Sequence, residues 1–183
     1  MPAKKQITRE MILQAAMNIL REDGFEAVNI KRLASALHCS TQPVYLSFTG
    51  MEELRCELIP LAVDEFEECM RTDSKSGIIR LYDMEYIQFA KDEPELFRFL
   101  FMRANAFGEI KRRLLPIIEQ SVGELMGIYH ISHDEADYLH DNLWMHAHGI
   151  ASMTATAFCS WDMDKVRQML LESRASFTKK YEV

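Results

Sequence analysis

Five of the six histidines fall between residues 130 and 148: His130, His133, His140, His146 and His148. Asp134, Asp137 and Asp141 lie among them. Imidazole and carboxylate are metal ligands, and imidazole titrates closest to neutral pH, so metal binding or proton sensing would be sought here first. The spacing argues against a metal. His130 and His133 straddle an expected helix break, and His146 and His148 point to different faces of one helix. No His-Glu-x-x-His and no Cys/His pattern with zinc spacing occurs. His140 and His148 align two turns apart, but two ligands do not make a site. The expectation is solvated or singly hydrogen-bonded histidines, with no metal and no cofactor.

A second group is Ser40, Thr41 and Gln42, followed by Pro43, Val44 and Tyr45. Short polar side chains at the start of a helix suit the edges of bases in a major groove. Glutamine pairs bidentately with adenine, and threonine hydrogen-bonds or meets a thymine methyl. Tyr45 lies one turn on, where its hydroxyl would reach a phosphate. Lys4, Lys5 and Arg32 are the nearby cations for the same backbone. A third group is apolar. Trp144 and His148 are four apart and share a helix face, with Met145 beside them. Tyr86, Phe89, Phe97, Phe101 and Met102 add aromatic and adaptable surface. Together they form the candidate pocket for a small, largely apolar molecule; the competing reading of each is ordinary core.

Catalytic constellations are missing. There is no Ser/His/Asp arrangement, nucleophile elbow or phosphate-binding glycine loop, so an enzyme is not expected; the His130–His148 segment is the only support for a metal-dependent one. Cys39, Cys56, Cys69 and Cys159 show no Cys-x-x-Cys spacing and read as reduced, mostly buried small side chains.

The elements that must position these groups all read as helix. Thr8 caps a helix to Asp23, which Gly24 stops; its stripe is Ile12, Ala15, Ala16, Ile19 and Leu20. Asn29 caps a second, short helix that buries Ile30, Leu33, Ala34 and Leu37. After His38-Cys39, Ser40 caps a third that ends near Phe48; Pro43 pushes Gln42 away from helical geometry, so this helix starts between 41 and 43. A long helix runs from about 51 to 71 with Pro60 inside it, where a kink is expected. Residues 72–77 read as a loop. Further helices are expected at about 77–92, 94–103, 108–130, 133–159 and 162–181, with Pro94 at a first position, Ser132 to Glu135 as a capping box and Asp162 as a cap.

The fold class is therefore all-α, with about nine helices. Residues 1–50 form a three-helix head of helix-turn-helix order, and 51–183 a helical ligand-binding and dimerisation domain, linked by the helix at 51–71. With 48 % hydrophobic and 27 % charged residues, the chain is ordinary globular protein. No apolar run approaches the roughly 20 residues that span a bilayer, and no signal peptide is recognisable, so a cytoplasmic place is expected. The net charge of −7 conceals an asymmetry: residues 1–50 carry +2 and the remainder −9. A mildly basic head can face phosphate while an acidic body keeps the protein soluble.

Residues 8–54 resemble the N-terminal domain of the TetR family of regulators. The matching run is Thr8 to Gly24-Phe25, Ile30-x-x-Leu33-Ala34, Ser40-x-x-x-Val44-Tyr45-x-x-Phe48 and Glu53-Leu54. Met51 and Ser47 stand where the family often has a lysine and a histidine or tyrosine that touch phosphate, which shifts weight to Lys4, Lys5, Arg32 and Tyr45. Farther along, Tyr86-Ile87-Gln88-Phe89-Ala90 with Glu93 to Arg98, and Trp144-Met145-His146-Ala147-His148-Gly149, are similar to a subgroup with a Trp-x-x-x-His-Gly signature. The resemblance implies a homodimer through the helices at about 133–159 and 162–181, a double-stranded DNA operator and a small-molecule effector. Small residues Ala147, Gly149, Ala151, Ser152, Ala155 and Ala157 would let those helices approach closely. A two-fold dimer would set its recognition helices about 34–36 Å apart and read a palindrome. Ligand would act by moving the long fourth helix, and repression is the family's usual mode. The alternative from another class is a helical protein-binding adaptor that has lost DNA binding.

Overall fold

The computed structural model describes residues 7–73, 80–104 and 107–181, and no strand occurs among them. The α-helices are α1 (Arg9–Asp23), α2 (Ile30–Ala36), α3 (Gln42–Ser47), α4 (Met51–Asp73), α5 (Met84–Asp92), α6 (Pro94–Phe101), α7 (Phe107–Tyr129), α8 (His133–Ala155) and α9 (Met163–Thr178). The chain divides into two compact units between Glu65 and Phe66, inside α4. Each has its own core, and they are called head and body below.

In the head, α1 begins where the Thr8 side chain accepts from Met11 N–H, and ends at Gly24, whose φ of 81° suits a residue without Cβ. A single 3-10 turn, Phe25–Ala27, follows. Asn29 caps α2 by accepting from Arg32 N–H. The turn after α2 has a definite geometry. His38 N–H donates to Ser35 C=O and Cys39 N–H to Ala34 C=O, while His38 takes φ 51°. That double bond pattern is a Schellman cap, with histidine where glycine is usual. It satisfies the last carbonyls of α2 and reverses the chain toward α3. Ser40 does not cap α3; the N-cap is Thr41, with no side-chain hydrogen bond, and Pro43 sits in the first turn where no N–H is needed. Helix α1 packs against both α2 and α3, and α2 against α3. The core they close contains Ile12, Leu20, Leu33, Val44 and Phe48, all at most 5 % exposed.

Arg9 fastens this arrangement. It donates to Glu53 at 2.6 Å, to Glu57 at 3.1 Å and to Ser47 C=O, and its guanidinium lies 4.0 Å from the centre of the Phe48 ring. One side chain thus ties the start of α1 to the end of α3 and to α4. Hydrogen bonds from Arg9, and then from the Thr49 N–H and hydroxyl, hold the Glu53 carboxyl down to about 2, against an ordinary 4.5. A depressed folded-state value means that the ionised form stabilises the head. That contribution is complete above about pH 4.5 and is lost as the pH falls toward 2. Acid unfolding followed by circular dichroism should therefore show a loss of head stability in this window, and Glu53→Gln should flatten it. An unchanged acid limb in the variant would show that the Arg9 cluster contributes nothing.

In the body, α8 is the hub, packed on α5, α6, α7 and α9. Its start is fixed by a reciprocal capping box between Ser132 and Glu135. Pro94 stands at the start of α6, and Asp162 caps α9 by accepting from Asp164 N–H. Arg80, just before α5, reaches Glu124 on α7 at 2.6 Å, and Asp83 lies 3.7 Å from Arg174 on α9. Burial pushes the Asp83 carboxyl up, and the two arginines work against that rise.

Three expected boundaries differ. Helix α5 starts at Met84, not near 77: residues 80–83 form a turn, closed by Asp83 N–H donating to Arg80 C=O, although Leu81 and Tyr82 are buried. Residues 74–79 lie outside the described residues. Helix α8 stops at Ala155, not 159, because Ala157 N–H donates to Thr154 C=O, Phe158 N–H to Met153 C=O, and Ala157 takes φ 53°, a second Schellman cap. Helix α9 yields to a 3-10 turn at Lys179–Tyr181. His130, after α7, also has a positive φ of 53°. The cysteines are free, but none is buried, and Cys56 is exposed.

Candidate DNA-reading surface and ligand cavity

Helix α3 has an inner and an outer side. Val44, expected at the DNA surface, is 3 % exposed and packs inward with Phe48. The grip on α3 needs an apolar side chain at that phase, so Val44 is a core residue and not a contact. Ser40 and Gln42 are exposed, and Thr41 and Pro43 half-buried. Tyr45 and Leu46 stand out at 65 % and 80 % exposure, far more than apolar side chains of a six-residue helix would show if both were core. Leu46 was not singled out from the sequence; its place beside Tyr45 was the available signal. Arg32 is exposed but paired with Asp23, so its charge is partly answered within the head. Lys4 and Lys5 lie outside the described residues.

In the body, two distant stretches meet. The Tyr86 hydroxyl on α5 and His148 Nδ1 on α8 are 2.9 Å apart. Burial pushes the Tyr86 hydroxyl far above its usual pKa, with a hydrogen bond from Trp144 opposing, so the phenol keeps its proton. A protonated phenol both donates and accepts, so this bond forms with either tautomer of the His148 ring. Burial lowers the His148 pKa, which keeps the ring neutral at pH 7. Phe97 and Phe101 complete the cluster, with ring centres 5.7 Å and 6.4 Å from that of His148.

Beside this cluster lies a cavity of about 170 Å³. Of the eight residues expected to bind ligand, Phe101, Trp144 and His148 line it. Tyr86 and Phe97 are buried behind Phe101 and His148, and Phe89 is buried against Phe66. Met102 and Met145 are not part of it: they are 41 % and 57 % exposed. Sequence reasoning missed Leu81, Ile110, Leu114 and Ile118, and it expected His140 to be solvated or singly hydrogen-bonded, whereas His140 is 1 % exposed and neither ring nitrogen has a hydrogen bond. The signal for His140 was its spacing, four before Trp144 and eight before His148, on one stripe. No cluster of three or more metal-ligating side chains occurs among the described residues. Within the single chain a Cβ on Gly149 would meet nothing within 4 Å, so no neighbouring helix of the same chain requires glycine there.

The head has the architecture of a helix-turn-helix DNA-binding domain, and the body that of an all-helical domain with a partly open cavity. Residues 12–58 match the sequence profile of bacterial regulatory proteins of the tetR family. An uncharacterised HTH-type transcriptional regulator of Haemophilus influenzae is 24 % identical over 179 residues, covering 93 % of this chain and 86 % of that protein. Two crystal structures of NalD, the secondary repressor of the MexAB-OprM multidrug efflux pump in Pseudomonas aeruginosa, share the fold. They superpose with TM-scores of 0.54 and 0.53 at 17 % identity, over 92 % of this chain and 94 % of theirs. The match at residues 12–58 gives the head the N-terminal helix-turn-helix of that family, and the likeness to NalD shows a shared all-helical fold. Among the described residues no helix is long and apolar enough to cross a membrane.

Proposed function

We propose that this chain is a cytoplasmic repressor that binds a palindromic operator as a homodimer and leaves it when a small, largely apolar ligand enters the body's cavity. The observation that carries the DNA-reading part is α3, which buries Val44 and exposes Gln42 and Tyr45. Repression follows the role that NalD bears. Dimerisation is assigned to α8 and α9. Ala147, Ala151 and Ala155 are buried within the body and do not face a partner, but Met145, Met153 and Leu171 on these helices remain exposed, as does Phe158 just past α8. Membership of the Trp-x-x-x-His-Gly subgroup is supported by the meeting of Trp144, His148 and Tyr86.

The test is binding of the purified protein to DNA selected from a random pool, across a salt series. A palindrome with half-sites about one helical turn apart, bound by two chains and weakened by salt, is the expected result. Enrichment of no palindrome would favour the adaptor reading instead.

A further inference from the structure

We infer that the cavity takes a small, uncharged aromatic molecule bearing a hydroxyl, a phenol in class, with that hydroxyl hydrogen-bonded to His140. This rests on the cavity being the effector site. Size comes first: about 170 Å³ admits one substituted ring, since an apolar cavity of about 150 Å³ takes one benzene. The walls are mainly apolar, from Leu81, Leu100, Phe101, Ile110, Leu114 and Ile118.

Within these walls His140 stands out. It is 1 % exposed, and neither ring nitrogen has a hydrogen bond. Asp141 lies 3.7 Å from Nδ1, too far for one, and the Tyr82 ring stands edge-on at 5.6 Å. A buried imidazole with both nitrogens unanswered carries a desolvation cost that a ligand can remove. A hydroxyl donates and accepts, so it serves whichever nitrogen it meets.

Charge selects against ions. Among the described lining residues Arg103 and Lys111 balance Asp137 and Asp141. Arg103 is already held by Phe99: its Nε donates to Phe99 C=O, and its guanidinium stacks on the Phe99 ring at 4.6 Å. Burial keeps His140 and His148 neutral. With its four charges balanced and its remaining walls mainly apolar, the lining offers no net field to repay the desolvation of an entering carboxylate or ammonium.

The experiment measures direct binding to the full chain, without DNA, by calorimetry with phenol, benzene, benzoate and benzylammonium at pH 7.5. Phenol should bind about tenfold tighter than benzene, one hydrogen bond's worth, and the two ions weakest. His140→Leu should keep benzene and reduce the phenol preference to near unity. Should that variant misfold, nitrogen NMR of the His140 ring in the unaltered protein replaces it: phenol should shift a ring nitrogen. Tighter binding of either ion, equal binding of phenol and benzene, no binding of any probe, or a silent His140 ring with phenol bound would each overturn the inference. Phenol that binds yet leaves the operator complex intact would sink the effector reading alone.

Discussion

Replacing Phe97 by alanine should lower the stability of the body by about 3–5 kcal/mol, the usual cost of truncating a fully buried aromatic side chain. Phe97 is wholly buried, and its ring centre lies 5.5 Å from that of Tyr86 and 5.1 Å from that of Phe101. Its loss removes the packing on one side of His148 and leaves a void among side chains from α5, α6 and α8. These helices are pinned by other contacts, so the void cannot simply close. A thermal midpoint roughly 10 °C lower is expected for a chain of this length. A drop equivalent to less than about 1 kcal/mol would show that the cluster relaxes freely, and that the Tyr86–His148 pair is not held by its aromatic surroundings.

The second large effect concerns the operator. Gln42→Ala should cost about 1–3 kcal/mol against the preferred sequence and much less against scrambled DNA, because a base-edge contact carries discrimination. Tyr45→Phe should weaken both DNAs alike, since a phosphate contact holds register without reading sequence. Competition titrations at one fixed salt concentration separate the two. If Gln42→Ala keeps its full preference for the selected palindrome, the base-reading role belongs to other residues of α3. Val44→Ala serves as the contrast. It should loosen the head through its core, with melting rather than specificity as the altered property.

What was legible in the sequence was mostly local. Thr8, Asn29, Ser132 and Asp162 are caps because a short side chain reaches an N–H two or three residues on, and that chemistry needs no tertiary partner. Gly24 ends α1 for an equally local reason. The two Schellman turns were not legible, since His38 and Ala157 occupy positions where composition would suggest glycine. Val44 was misplaced because a six-residue helix is too short for its apolar phase to show. Met145 was misplaced because one step from Trp144 turns about 100° around a helix, away from the shared face. The Tyr86–His148 contact spans 62 residues, and only folding brings it together. The cavity was half legible: its aromatic rim stood out, but its aliphatic walls look the same as any core until a space is found between them.

The left-handed turns at His38, His130 and Ala157 have an evolutionary consequence. Each is made by a residue with a side chain, at a backbone conformation that costs about 1–2 kcal/mol relative to the ordinary helical region. Glycine at any of them would relieve that cost, partly offset by the greater freedom it gives the unfolded chain. Single substitutions toward a sturdier protein are thus open at three places, none of them in α3 or among the cavity-lining residues, with His38 in the turn that leads into α3. A lineage under thermal pressure has that reserve to draw on without changing a residue of α3 or of the cavity wall.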